Sequence, residues 1–147
     1  MPTSLDAEAK ATLRALAVAG RAARDLDLSG ADLRDAQVPG LRADDLVLSD
    51  VDLSRASLCG ARWRSCVLRD ARLDEADLTD AVLRMCDLDG VSAARAVLVR
   101  ARIENGTARG ARFDGADLSD AALTDTDFSR ASLCLDRRRP PEPDIRR

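Results

Sequence analysis

The sequence predicts an all-β solenoid, in which the chain winds in repeated coils instead of folding around one large core. Every fifth residue from Leu28 to Leu133 is apolar, over 22 consecutive positions, and a smaller, mostly alanine series lies two residues before each of them. A period of five fits neither the 3.6-residue turn of a helix nor the alternation of a strand, and it is typical of a repeat architecture. Aromatic residues make up only 2% of the chain, which stacked leucine columns tolerate better than an ordinary core does.

The five-residue units carry a family resemblance. The segments Ala31–Asp35, Ala76–Asp80 and Ala116–Asp120 read A-D-L followed by two polar residues. They resemble the A-(D/N)-L-x-x units of the pentapeptide-repeat family, and the resemblance covers residues 26–135. It implies a right-handed quadrilateral β-helix with four units per coil, in which the central residue and the one two before it point inward. It does not imply one function, because the family is defined by its scaffold.

The inward series supports four units per coil independently. Its three aromatic residues each follow one of its central alanines by twenty residues: Ala43 and Trp63, Ala93 and Phe113, Ala108 and Phe128. In a coil of twenty residues these partners stack directly, so that a bulky side chain fills the room left by a small one in a densely packed interior. The repeats therefore predict a filled rod of about five and a half coils, about 26 Å tall at the usual strand spacing.

Three segments follow from this pattern. Residues 1–25 lack the period and are expected to form an N-terminal capping helix, because the terminal repeats of solenoids need covering. Residues 26–135 form the predicted β-helix. Residues 136–147 are charged and rich in proline, and we expect them to be mobile or to lie over one face. With neither a signal peptide nor a transmembrane segment evident, the expected location is the cytoplasm.

Residue usage favours a binding protein over an enzyme. The chain has no histidine or tyrosine and a single lysine, Lys10, so the usual acid–base and nucleophilic groups are scarce. The four cysteines suggest neither a disulfide framework nor a metal site, and no cofactor is expected. Cys66 and Cys86 should instead stack in one column as small buried thiols. The remaining catalytic alternative is a pericyclic or cyclisation step in a natural-product pathway, for which the candidate apolar surface site comprises Met85, Val97 and Val99.

Charge is unevenly distributed around the predicted rod. The whole chain has a net charge of −3, and residues 26–135 carry 14 arginines against 20 acids. When units are sorted by four, one face carries Asp77, Asp80, Asp117 and Asp120 against Arg100 alone. A second acidic face includes Asp87 and Asp89. A third face presents five arginines: Arg42, Arg62, Arg64, Arg84 and Arg102.

The acidic faces and the resemblance together suggest a partner. Some pentapeptide-repeat proteins resemble B-DNA in size and charge, bind type II topoisomerases and protect them against drugs. The resemblance therefore implies a protein partner such as DNA gyrase or topoisomerase IV, drug tolerance or self-resistance, and no direct contact with nucleic acid or membrane. The six partner-binding candidates are the acids Asp77, Asp80, Asp117, Asp120, Asp87 and Asp89. Duplex DNA of this length would carry roughly 15 charges, more than the net −6 of this rod, and a generic scaffold or adaptor is the alternative.

An end-to-end homodimer would lengthen the rod. The C-terminal end of the repeats has no predicted helical lid, and it offers an apolar group comprising Phe128, Leu133, Cys134 and Leu135. Because a solenoid has open edges only at its ends, this group is the predicted dimer interface.

Overall fold

The computed structural model describes residues 4–134 and 143–146 and shows a β-solenoid of about six turns with one N-terminal helix, as the sequence predicts. The helix, α1, covers Ser4–Val18, and seven three-residue strands form one parallel sheet in chain order. The strands are β1 Ala22–Arg24, β2 Arg42–Asp44, β3 Arg62–Arg64, β4 Val82–Arg84, β5 Arg102–Glu104, β6 Ala122–Thr124 and β7 Asp144–Arg146.

Successive coils pair with an offset of twenty residues. Ala23 pairs with Ala43, and the same offset continues through β6. Isolated parallel bridges on the other sides keep this register, as between Asp52 and Arg72. Because backbone hydrogen bonds run from each coil to the next, four pentapeptides complete one turn, and the predicted coil length is confirmed.

The interior is filled by the two inward series. Ala43 lies in register with Trp63, as predicted, and both side chains are buried. Backbone hydrogen bonds also place Ala93 and Ala108 one coil from Phe113 and Phe128, respectively. A void of about 10 Å³ remains beneath the N-terminal helix, which is too small for more than one water molecule. The nesting of large and small side chains is therefore confirmed.

The corners of the coil have a uniform backbone conformation. Every fifth residue from 25 to 130 has a positive φ, and 16 of these residues are not glycine. Asp, Asn and Gly adopt this left-handed region most readily, which explains their abundance at the last position of each unit. The outward aspartate of several units adds a local bond, as where Asp27 accepts the backbone N–H of Ser29 at 3.0 Å.

Both ends of the solenoid differ from the expected segment boundaries. Strand β1 lies within residues 1–25, so the first coil begins before residue 26, and the helix occupies only part of that segment. Leu13 of α1 is buried against the core. At the other end, β7 pairs with β6, so residues 144–146 of the expected tail belong to the sheet. The rest of that tail, apart from Pro143, lies outside the described residues. No helix in the described part of the chain is long and apolar enough to cross a membrane.

Candidate partner-binding surfaces

Two acids of the predicted contact strip are part of their own turns. The carboxylate of Asp77 accepts hydrogen bonds from the backbone N–H and the hydroxyl of Thr79, at 3.0 and 2.6 Å. Asp117 accepts the equivalent bonds from Ser119, at 3.1 and 2.6 Å. These bonds stabilise the turns and leave both side chains partly exposed on the outer surface.

The two corner acids of the strip are not equivalent. The Arg100 guanidinium donates to both oxygens of Asp80, at 2.8 and 3.0 Å, and these bonds lower the pKa of the Asp80 carboxyl. Asp120, one coil beyond Arg100, has no hydrogen bond or close ion pair among the described residues. We conclude that Asp120 is the member of the strip whose charge is most available to a partner.

The acids of the second acidic face are engaged within the rod. Arg69 contacts Asp87 at 2.5 Å, and the Arg109 guanidinium contacts Asp89 at 2.7 Å. Burial acts to raise the pKa of the Asp89 carboxyl, but hydrogen bonds from the side chain and backbone of Arg109 outweigh it and lower that pKa. Asp87 and Asp89 therefore form ion pairs within the rod itself, whether or not a partner also binds at this face.

Cross-coil ion pairs are a feature that the sequence analysis missed. In four of these pairs an arginine lies twenty residues after an acid: Asp35 with Arg55, Glu75 with Arg95, Asp80 with Arg100, and Asp89 with Arg109. A search for opposite charges twenty residues apart would have found them. Such exposed pairs are individually weak because water screens them, so they assist the coil register but do not determine it.

The predicted arginine face is confirmed as the outer side of the strands, which we call the strand face (residues of β1–β6). All five predicted arginines lie on β2–β5: Arg42, Arg62, Arg64, Arg84 and Arg102. The side chains of this face border an open, shallow groove of about 1030 Å³.

The proposed apolar site is divided by this strand face. Val97 and Val99 lie on the side that precedes the strand face along the coil, and both are half-buried. Met85 is 48% exposed and occupies the corner after β4, on the far side of the strand face. Met85 therefore lies on a different side of the rod from Val97 and Val99, and the apolar surface site stays a prediction.

The C-terminal end has a mixed character. Phe128 packs edge-to-face against Phe113, with ring centroids 6.1 Å apart, and Leu133 is also half-buried. Cys134 is exposed, whereas Leu135 lies outside the described residues. Strand β7 extends the sheet on one side of this end.

Cys66 and Cys86 are free, buried thiols in neighbouring coils, as the sequence predicts. Each sulfur lies near backbone carbonyl oxygens, including the Arg64 oxygen at 3.4 Å from Cys66 Sγ. The hydrogen bond with Cys66 and burial raise the pKa of the Cys86 thiol, which keeps that thiol protonated and unreactive.

Comparison with known proteins agrees with this geometry of a filled, four-sided repeat rod with charged outer faces. The family described as Pentapeptide repeats matches in eight copies, over residues 47–84, 71–113 and 96–134. The chain therefore belongs to the pentapeptide-repeat family. The comparison with curated protein sequences gave no match.

Solved structures show the same fold. The trypsin-treated R167E form of QnrB1, a plasmid-mediated fluoroquinolone resistance protein, matches with a TM-score of 0.71 at 26% identity, over 74% of this chain and 55% of that one. This chain thus spans about half the length of that protein. A pentapeptide repeat protein of the Arabidopsis thaliana thylakoid lumen matches with a TM-score of 0.53 at 28% identity, over 69% of this chain and 67% of that one.

Proposed function

We propose that this chain is a protein-binding rod that modulates a type II topoisomerase, DNA gyrase or topoisomerase IV, and gives tolerance to drugs that act on that enzyme. The observation that carries the proposal is the structural likeness to QnrB1, a fluoroquinolone resistance protein. The acidic strip adds a chemical reason, since carboxylates on a rigid rod complement the basic surfaces that topoisomerases use for DNA. In this proposal Asp77, Asp117 and Asp120 make the main contacts.

A supercoiling assay tests the proposal. Purified gyrase is incubated with plasmid and a fluoroquinolone, with and without the protein, and supercoiled product is measured. We expect the protein to restore supercoiling in a dose-dependent way. If it changes neither supercoiling nor drug inhibition for gyrase or topoisomerase IV, the topoisomerase proposal is wrong.

A matched pair of variants locates the contact. Asp120→Lys reverses the charge of the unpaired strip acid, and we expect several-fold weaker protection because charge reversal repels a basic partner. Asp125→Lys is the control, because Asp125 is an exposed corner residue of the same coil with a similar positive φ, on the other side of the strand face. Equal loss in both variants would argue against the acidic strip as the specific contact surface.

A scaffold or adaptor is the second candidate function. The likeness to a thylakoid-lumen protein favours it, because that protein has the same fold in a plant compartment and is not described as a drug-resistance protein. A defined partner other than a topoisomerase, bound with 1:1 stoichiometry and lost in Asp120→Lys, would support this candidate. A catalytic role is not proposed, because the interior is filled and Met85 lies on a different side of the rod from Val97 and Val99.

We also propose that two copies associate through their C-terminal ends. Leu133 and Cys134 are the described residues best placed for this contact, and Phe128 supports them from the last coil. Support comes from the asymmetry of the rod, since α1 covers the first coil and no helix among the described residues covers the last.

A further inference from the structure

The strand face departs from the charge pattern of the other faces. Elsewhere several arginines stack on an acid of the neighbouring coil, as Arg55 does on Asp35. On the strand face, by contrast, Arg42 lies in register with Arg62, and Arg64 lies in register with Arg84. Stacked like charges are unfavourable across adjacent strands, so a bound anion would stabilise this arrangement.

The acids of the strand face compensate only part of this charge. The pairs formed are Arg24 with Asp44 at 3.3 Å, Arg84 with Glu104 at 3.3 Å, and Arg102 with Glu104 at 2.5 Å. The other three arginines, Arg42, Arg62 and Arg64, are exposed and have no ion pair or side-chain hydrogen bond among the described residues. We call these three residues the arginine triad.

The edge of the rod beside the triad is open. Gly40 and Gly60 form the corner that precedes Arg42 and Arg62, and both border the groove over the strand face. A Cβ atom added at either glycine would meet no heavy atom within 4 Å. In later coils the same corner carries Asp80 and Asp120, whereas beside the triad it is formed by two glycines and carries no carboxylate.

The backbone geometry sets the spacing of the triad. Arg42 and Arg62 are on adjacent strands, about 4.8 Å apart, whereas Arg62 and Arg64 are two residues apart on one strand, about 6.6 Å. Three long side chains from such a triangle can converge on one compact oxyanion. Guanidinium groups bind phosphate oxygens with paired N–H donors, which makes phosphate a suitable counter-charge.

We propose that the arginine triad binds the phosphate groups of a small phosphorylated molecule, with a diphosphate as the best match to three guanidiniums. The site lies on the strand face and is separate from the acidic strip, so it does not depend on the proposed topoisomerase function. Binding relieves the repulsion between Arg42 and Arg62 and leaves the cross-coil backbone bonds of β2 and β3 unchanged.

A long nucleic acid fits this surface less well. The three arginines without an ion pair among the described residues extend over two coils only, because Arg24 pairs with Asp44, and Arg84 and Arg102 share Glu104. A nucleic-acid strand binds along an extended positive track, and here the acidic face adjoins the same corner and would repel its phosphates. The charge pattern therefore favours a compact ligand over a polymer.

Calorimetric titration with inorganic pyrophosphate tests the proposal, using the full chain at constant ionic strength of about 0.15 M, where exposed charges are well screened. We expect saturable binding with one site per chain. Arg62→Gln, which removes the residue shared by both sides of the triangle, should weaken binding at least tenfold. Arg130→Gln is the matched control, because Arg130 is another exposed arginine without an ion pair among the described residues, and it should change binding less than twofold.

Titrations with other ligands identify the class of ligand, and several outcomes would contradict the proposal. Sulfate at the same ionic strength should bind at least tenfold more weakly, and ADP should bind as tightly as pyrophosphate or more tightly if the natural ligand is a nucleoside diphosphate. Absence of saturable pyrophosphate binding, or equal loss in Arg62→Gln and Arg130→Gln, would overturn the proposal. The proposal would also be overturned if a twelve-nucleotide oligonucleotide bound more tightly than pyrophosphate and lost this binding in Arg62→Gln. The strand face would then be a nucleic-acid surface.

Discussion

At the scale of single residues, the corner positions constrain the sequence most. Arg130 and Met85 adopt the left-handed conformation there with φ of 59° and 55°, although it costs such residues roughly 1–2 kcal/mol relative to the right-handed region. Backbone hydrogen bonds to neighbouring coils, such as the one that the Met85 N–H donates to the Glu104 carbonyl oxygen, maintain this strain. The sequence identified the inward positions from apolarity, but it did not reveal the corner conformation, because arginine and methionine carry no signal for it.

Substitutions at two glycines distinguish destabilisation by backbone strain from destabilisation by steric overlap. Gly110 has φ of +67° and open space around an added Cβ, whereas Gly106 lacks a positive φ and a Cβ there would lie 2.4 Å from the Cys86 carbonyl oxygen. We expect Gly110→Ala to lower the free energy of unfolding by about 1 kcal/mol and Gly110→Asn by less, because asparagine tolerates this region. Gly106→Ala should cost about 1–3 kcal/mol through overpacking, and Gly106→Asn more.

Urea unfolding of the four glycine variants measures these costs. A neutral Gly106→Ala would show that the backbone moves away from Cys86 without penalty. A Gly110→Asn variant as unstable as Gly110→Ala would show that the corner conformation is not the source of the cost.

At the scale of the coil, packing depends on complementary volumes in neighbouring turns. Trp63 is the largest inward side chain, and it lies against Ala43 of the preceding coil. Its buried Nε1 has no hydrogen-bond partner among the described residues, so tryptophan here carries the desolvation cost of one N–H, about 1–3 kcal/mol. Trp63 therefore stabilises the core by filling space and not by hydrogen bonding.

A double-mutant cycle tests this nesting. We expect Ala43→Leu alone to destabilise by about 1–3 kcal/mol through overpacking. Trp63→Leu alone should destabilise by about 2–3 kcal/mol through the space it leaves. In the double variant the added leucine fills that space, so the combined loss should be smaller than the sum by at least about 1 kcal/mol. Thermal and urea unfolding give the values, and simple additivity would contradict direct nesting.

Much of the coil architecture could be predicted, and its two terminal strands show where prediction failed. The inward pattern reaches Ala23, but Arg21 replaces the small apolar residue expected two positions earlier, so β1 was assigned to the helical cap. Strand β7 pairs Leu123 with Ile145, an offset of 22 residues, which breaks the period of twenty that identified the other coils. For the candidate site, the repeat register predicted which face of the rod each charged residue occupies. It did not predict which arginine pairs with which acid, because that depends on the side-chain conformations.

At the scale of the whole molecule, the two ends of the rod differ. Helix α1 buries Leu13 on the first coil. Among the described residues β7 extends the last coil, and its Ile145 is 44% exposed. Unpaired strand edges and apolar surface favour association with another chain, which agrees with the proposed contact between C-terminal ends.

Sedimentation equilibrium tests this association. We expect the mass of a dimer at high micromolar concentration, and Cys134→Glu should shift the protein to monomer because it places like charges opposite each other across a two-fold contact. Cys134 is exposed, so this variant should fold normally. Leu5→Glu, at a 74% exposed position of α1 near the opposite end, is the control and should remain dimeric. A monomeric native protein at this concentration would contradict the proposal.

The constant spacing between paired coils has a consequence for how the chain acquires its structure. From β1 to β6, each coil closes a loop of the same twenty-residue length, so the entropic cost of adding a coil does not grow as the rod lengthens. Assembly can then proceed like a zipper from any coil that nucleates, with the helix closing one terminus. The same locality allows such a chain to gain or lose whole turns in evolution while every remaining turn keeps its neighbours.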